Sequence, residues 1–165
     1  MTGVQTCALP ISALQASQDG QGGAQRWATD QVVRTWAGKD PVAAANFSMS
    51  LADPAAQSRS IADVIQQWGR QDPTAAANWI NSLAAGAPHD AAVAAFARSM
   101  MPNDPQNALG WIATIADDGT RNQATQRLSR EVLWRDPKNG AAVLLAAGVP
   151  ATVIEQVQKR QPPGR

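Results

Sequence analysis

An Asp-Pro pair recurs at a fixed interval along the chain and indicates how the chain folds. The four pairs begin at Asp40, Asp72, Asp104 and Asp136, so each is separated from the next by 32 residues. An exact period of this length is typical of stacked supersecondary units, each of which packs against its neighbours. The sequence therefore predicts a repeat architecture.

The chemistry of the pair predicts that each one begins a helix. An Asp side chain accepts hydrogen bonds from the free N–H groups of a first helical turn, and its charge suits the positive end of the helix dipole. Proline at the first helical position lacks an N–H that would have no partner there in any case. We expect a helix of roughly eleven residues after each pair.

The inner face of these helices is predicted at offsets 3, 4, 7 and 11 from each Asp, which share one side of a helix. Offset 7 holds Phe47, Trp79, Trp111 and Val143, and offset 11 holds Leu51, Leu83, Ile115 and Ala147. We expect Trp79 and Trp111 to be largely buried. Trp134 breaks the register and is expected to be more exposed than Trp79.

A second helix is predicted in each unit, after turns at 52–57, 84–90 and 116–121. Its core positions are Ile61, Val64, Ile65 and Trp68, then Val93, Phe96, Ala97 and Met100, then Thr125, Leu128, Ser129 and Val132, with Thr29, Val32, Val33 and Trp36 upstream. No period-2 alternation competes with this pattern. The predicted fold is all-α, an α-solenoid of antiparallel helix pairs with a 32-residue repeat and a capping helix at 153–159.

The N-terminal residues 1–11, "MTGVQTCALPI", bear no relation to the repeat and resemble a translated sequencing adapter. We therefore expect that the gene was cut here, and Cys7, the single cysteine, carries no functional information. Residues 12–22 are interpreted as a linker or the remnant of a truncated repeat, and 23–165 as the helical repeat domain with its capping helix. Trp27 and the apolar end of the first unit predict self-association through this truncated end.

The amino-acid composition bears on whether the partner is a nucleic acid or a membrane. The formal net charge is +1, and only 16% of residues are charged, which argues against nucleic acid as the main ligand. Residues 121–165 are nevertheless mildly basic, with 8 basic and 3 acidic side chains. The longest apolar stretch, 141–150, is too short for a membrane span, which needs about 20 residues.

The repeat resembles tetratricopeptide and HEAT-type helical repeats, and more closely the Asp-Pro, Ala-Ala, Trp repeats of bacterial proteins. The resemblance covers about residues 23–160 and is carried by "WAGKDPVAAANF", "WGRQDPTAAANW" and "NDPQNALGW". It departs from the tetratricopeptide pattern in period, 32 against about 34 residues. The resemblance implies a protein-interaction scaffold and carries over no catalytic residue.

The sequence contains few residues that would suit an enzyme active site. The single histidine, His89, excludes a His-cluster metal site and is expected to be a solvated turn residue beside a helix-capping Asp90. The paired acids Asp117 and Asp118 are interpreted as turn formers, and "GQGG" at 20–23 lacks the lysine of a phosphate loop. We therefore predict no enzyme activity, no catalytic residue, no cofactor and no bound metal.

Two sets of side chains mark candidate partner-binding surfaces. The first is a row of small polar groups at equivalent positions of the Asp-Pro helices: Asn46, Ser50, Asn78, Ser82 and Thr114. The second is a row of cations six residues before the next Asp: Arg34, Arg98 and Arg130, with Gln66 between them. The simpler interpretation is that the hydroxyls bond to the preceding helical turn and that the cations favour the negative end of the helix dipole.

Three functional hypotheses follow. The leading one is a non-enzymatic scaffold that binds a protein or peptide partner. The rival is the helical arm of a larger bacterial enzyme or envelope protein whose functional domain lies upstream. The weakest is nucleic-acid binding through Arg98, Arg121, Arg127 and Arg130, which would show a steep loss of affinity with salt.

Overall fold

The computed structural model describes residues 31–160, and within that range the chain is all-α, with nine helices and no strand. The predictions for residues 1–30, including the adapter-like segment, the linker, Trp27 and Thr29, lie outside the described residues, as does the tail after 160. The helices are α1 (31–37 as described), α2 (Pro41–Met49), α3 (Pro54–Gln71), α4 (Pro73–Asn81), α5 (Ala87–Met100), α6 (Pro105–Ala113), α7 (Asp118–Arg135), α8 (Gly140–Ala146) and α9 (Ala151–Arg160). Among these helices, none combines the length and apolar character that a membrane crossing requires.

The helix starts predicted at the first three Asp-Pro pairs are confirmed. Each Asp side chain accepts a hydrogen bond from the backbone N–H three residues later, at 2.9, 2.9 and 3.0 Å for Asp40, Asp72 and Asp104. Proline occupies the first turn in each case, and each helix has nine residues. The predicted length of roughly eleven was therefore slightly too long.

The fourth Asp-Pro pair behaves differently. Asp136 accepts hydrogen bonds from the N–H groups of Lys138 and Asn139, but α8 begins only at Gly140. The earlier units have alanine or an Asn-Ala pair where this one has Asn139-Gly140, and glycine has the lower helix propensity. Gly140 also packs closely against α7, since a Cβ there would lie 3.0 Å from the carbonyl oxygen of Val132.

The long helices, α3, α5 and α7, begin earlier than the sequence predicted. Part of each expected turn belongs to the following helix, because α3 begins at Pro54, α5 at Ala87 and α7 at Asp118. Two of these starts have Asp caps that the prediction assigned to turns. Asp53 accepts from the N–H of Ala55 at 3.0 Å, and Asp117 accepts from that of Thr120 at 2.6 Å. The same capping chemistry that starts the short helices thus starts two of the long ones.

The short helices are those that follow the four Asp-Pro pairs, α2, α4, α6 and α8, and their inner face is centred at offsets 4 and 8 from the Asp. Its buried residues are Ala44, Ala76, Ala108 and Gly140 at offset 4, and Ser48, Ile80, Ile112 and Leu144 at offset 8. The predicted face omitted offset 8, and the residues at offset 7 lie at its edge. Trp79 and Trp111 are accordingly partly buried, less than expected, and pack against the core.

The partly buried aromatics of the short helices each contact an aromatic of the preceding helix. The ring centroids are 5.8 Å apart for Trp36 and Phe47, 6.1 Å for Trp68 and Trp79, and 4.9 Å for Phe96 and Trp111. Trp134 has 78% of its surface exposed, which confirms the predicted order of exposure.

The long helices supply most of the core. The predicted core positions are buried at Val33, Ile61, Val64, Ile65, Trp68, Val93, Phe96, Ala97, Leu128, Ser129 and Val132, while Val32, Trp36, Met100 and Thr125 are partly buried. The most extensive helix contact joins α3 to α5. There a Cβ on Gly69 would overlap Ser99 Oγ and lie 3.0 Å from Phe96, so glycine permits this close approach.

The C-terminal helix predicted at 153–159 is confirmed with slightly wider bounds, as α9. It contacts α7 and α8, and its buried residues are Ile154 and Val157. The remaining residues of this amphipathic helix are partly or fully exposed, which is the pattern of a helix that covers the end of a core.

Candidate functional site

The row of polar side chains on the short helices lies on their exposed side. Asn46, Ser50, Asn78, Ser82 and Thr114 are all exposed, and they face away from the buried offsets 4 and 8. Asn46 on α2 accepts a hydrogen bond from Trp79 Nε1 on α4 at 3.3 Å. That bond joins α2 to α4 on their exposed side. We call the exposed polar residues of the short helices the short-helix face (Asn46, Ser50, Asn78, Ser82 and Thr114).

The hydroxyls of this face bond within their own helices. Ser50, Ser82 and Thr114 each donate to the carbonyl oxygen three residues earlier, at 2.7, 2.6 and 2.7 Å. These bonds agree with the simpler interpretation of the row, in which the hydroxyls bond to the preceding helical turn. The hydroxyl oxygens still have lone pairs to accept from a ligand, and the Asn78 amide is exposed.

The three arginines of the predicted row of cations do not lie together. Arg34 bonds to Asp63 on α3 through Nη2 at 3.0 Å and through Nε at 3.2 Å, so its charge is already paired. Arg98 and Arg130 lie further along the chain and share the lining of one cavity. The structure therefore brings two of the three candidate arginines together and separates the third.

That cavity, here called the arginine cavity, has a volume of about 260 Å³ and lies among α5, α6 and α7. Its polar lining consists of Arg98, Arg127, Arg130, Thr120, Gln123 and Gln126. Ala94, Ile112, Ala124 and Leu128 supply the apolar part of the wall. Three guanidinium groups, one hydroxyl and two amides are the donors that suit an oxyanion.

The Arg98 guanidinium in this cavity is partly buried and lies near the charge of Arg127. Burial lowers the pKa of its guanidinium from the usual value, and the nearby charge of Arg127 lowers that pKa further. Asp63 and Glu131 act in the opposite direction with smaller effects. Both carboxylates have a cation of their own, because Asp63 pairs with Arg34 at 3.0 Å and Glu131 lies 3.7 Å from Arg135.

The four arginines proposed for nucleic acid do not form one surface. Arg121 donates to the carbonyl oxygen of Ile115 at 2.7 Å and pairs with Asp118, so it is held at the turn between α6 and α7. It lines a different cavity, of about 270 Å³, beside the α8–α9 connection. Arg98, Arg127 and Arg130 alone remain clustered.

His89 and Asp90 differ from their predicted roles. The expectation of a solvated turn was wrong for His89, which lies in the first turn of α5 with only 17% of its side chain exposed. Asp90 does not cap this helix, since the N-cap is Gly86. Its buried carboxylate instead accepts from the N–H groups of Ala116 and Asp117 at 3.2 and 3.1 Å, and so it fixes the turn between α6 and α7.

The paired acids Asp117 and Asp118 serve the start of α7. Asp117 is its N-cap, and hydrogen bonds from the backbone and side chain of Thr120 lower the pKa of the Asp117 carboxyl. Asp118 pairs with Arg121. In the described part of the chain, no group of three or more His, Cys, Asp and Glu side chains is placed to hold a metal ion.

Comparison of the chain with models of known protein families, with curated proteins and with solved structures found no match.

Proposed function

We propose that this chain is a non-enzymatic scaffold that binds a protein or peptide partner, built as an α-solenoid of stacked helix pairs with a 32-residue repeat. One observation carries the proposal. The same exposed chemistry recurs on successive short helices, with Asn46 and Ser50 on α2 and Asn78 and Ser82 on α4, and Thr114 on α6. A row of equivalent polar groups suits an extended chain whose backbone groups also recur at regular distances.

The Asn46–Trp79 hydrogen bond supports a ligand that crosses more than one helix. It joins α2 to α4 on their exposed side, so a ligand bound there would contact Asn78 and Ser82 as well as Asn46 and Ser50. The side-chain amide of Asn78 supplies both a donor and an acceptor, as a peptide backbone requires.

The proposal is tested with peptides selected from a random display library against the whole chain. We expect selected peptides to shift the NMR signals of the short-helix face, including the side-chain amide of Asn78. The double variant Asn78→Ala, Ser82→Ala removes two hydrogen-bonding groups and should weaken binding by about tenfold, since each bond contributes about 0.5–1.5 kcal/mol.

A matched control is the double variant Glu155→Ala, Gln158→Ala, which removes two exposed polar side chains from α9. It should leave the affinity of the same peptides unchanged within about twofold. Peptides whose signals map elsewhere, or that bind the Asn78 and Ser82 variant as tightly as the original chain, contradict the proposal.

A further inference from the structure

The arginine cavity breaks a pattern that the repeat itself establishes. Arg34 on α1 pairs with Asp63 on α3, and the two residues are 29 positions apart. The residues with the same separation one unit later are Gln66 and Ala95, and two units later they are Arg98 and Arg127, whose charges repel each other. Arg34 is therefore paired with the carboxylate of Asp63, whereas Arg98 has a second cation, Arg127, at the equivalent position.

Two like charges that share a cavity destabilise each other unless an anion lies between or beside them. In the part of the chain that the structure describes, neither Arg98 nor Arg127 forms an ion pair with a carboxylate. The two carboxylates that attract Arg98, those of Asp63 and Glu131, pair with Arg34 and Arg135. Arg98 nevertheless remains partly buried beside a space of about 260 Å³. That space is wide enough for a carboxylate or phosphate group.

We propose that the arginine cavity binds an oxyanion, a carboxylate or phosphate group presented by a peptide partner, between Arg98 and Arg127. The external anion takes the place that Asp63 occupies opposite Arg34. Gln123, Gln126 and Thr120 line the same space and supply neutral donors for the remaining oxygen lone pairs. This inference rests on the proposed function only in taking a peptide as the bearer of the anion, and it concerns α5 and α7, a surface separate from the short-helix face.

The test uses calorimetry at low salt together with NMR of the arginine Nε–H groups. The probes are a capped peptide with two adjacent glutamates, the same peptide with phosphoserine, the same peptide with glutamine, and inorganic phosphate. We expect dissociation constants on the order of 1 mM or tighter for the two acidic peptides. The Nε–H signals of Arg98 and Arg127 should shift, and the glutamine peptide should not bind.

The decisive variant is Arg127→Asp, which restores the charge pattern of Arg34 and Asp63. Binding of the acidic peptides should fall by about tenfold or more, because a carboxylate replaces one of the two cations that would contact the anion. The melting temperature should rise by about 1–3 °C, because an exposed ion pair replaces a repulsion. The matched control Arg70→Asp makes the same charge change at an exposed site outside the cavity and should leave the peptide affinity unchanged. Its melting temperature should fall slightly rather than rise, because Arg70 lies in the last turn of α3, where the helix dipole favours a cation.

The outcomes separate this inference from the proposed function. Phosphate binding that depends on Arg127, together with peptide binding, supports an oxyanion site. Peptide binding that survives Arg127→Asp, a lower melting temperature in that variant, phosphate binding without any peptide binding, or tighter binding of a single-stranded oligonucleotide overturns the inference. None of these results affects ligands selected on the short-helix face, whose dependence on Asn78 and Ser82 is measured independently.

Discussion

Replacing Phe96 with alanine is expected to lower the free energy of unfolding by about 3–5 kcal/mol, the usual cost of removing a buried aromatic side chain. Phe96 is 2% exposed and lies at the junction of three helices. Its ring meets Trp111 of α6 edge to face at 4.9 Å and closely approaches Gly69 of α3. Because α3 and α5 form the most extensive helix contact, a cavity there weakens the packing between these two helices. Urea unfolding followed by circular dichroism measures the change.

Trp134→Ala is the matched control for this prediction. It removes a larger aromatic side chain, but Trp134 is 78% exposed, so the expected change is within about 0.5 kcal/mol. A similar loss for both variants, or a loss below about 1 kcal/mol for Phe96→Ala, would contradict the packing described for α3, α5 and α6.

Removal of the Asp90 carboxylate by Asp90→Ala is expected to cost about 2–4 kcal/mol. The carboxylate is buried, with 3% of the residue exposed, and accepts from the backbone N–H groups of Ala116 and Asp117. Alanine leaves both donors without their partner and releases the turn between α6 and α7. Hydrogen exchange should show faster exchange at those two amides, in addition to the lower stability seen in urea.

Asp63→Ala provides the comparison for Asp90→Ala. Asp63 pairs with Arg34 at an exposed position, and such pairs contribute about 0.2–1 kcal/mol to stability. Asp63→Ala should therefore lower the free energy of unfolding by no more than this amount. Asp90→Asn keeps one acceptor oxygen and should recover part of the loss. Equal effects at Asp63 and Asp90, or unchanged exchange at 116 and 117, would show that Asp90 does not hold this turn.

The beginnings of the short helices could be predicted from sequence because capping is local chemistry. Asp40, Asp72 and Asp104 bond to groups three residues away, so a short window contains every atom involved. Asp136 shows the limit of this reasoning. Its side chain makes the same kind of bonds, but the helix begins only at Gly140, where the propensity of Asn139 and Gly140 is lower than that of alanine.

The exact inner face could not be predicted, because one position depends on a distant partner. Offset 8 holds Ser48 in the first unit, where the later units have Ile80, Ile112 and Leu144. Serine at that position obscures the apolar pattern. Ser48 is nevertheless fully buried, since its hydroxyl bonds to Ser60 Oγ at 2.7 Å and to the Ala44 carbonyl at 2.9 Å. The bond to Ser60 is tertiary, and a periodic pattern does not reveal it.

The candidate site was predicted in part. The exposed polar row and the positions of Arg98 and Arg130 follow from the repeat register, while Arg127 was considered only for nucleic acid. The sequence did contain an indication that Arg127 lies near Arg98. Arg34 and Asp63 have the same 29-residue separation as Arg98 and Arg127. Only the observed Arg34–Asp63 ion pair shows that this separation brings two side chains together. The role of Asp90 depends equally on partners 26 and 27 residues away.

The most direct test of the repeat architecture is the duplication of one unit. A second copy of residues 72–103, inserted after Asn103, adds a nine-residue and a fourteen-residue helix if each unit stacks on its neighbour. We expect helical circular dichroism to increase by the share of those residues, with a single cooperative unfolding transition. A scrambled segment of the same 32 residues serves as the control and should add no helix. An inserted unit whose NMR signals remain those of an unfolded chain would contradict the repeat architecture and the scaffold built on it.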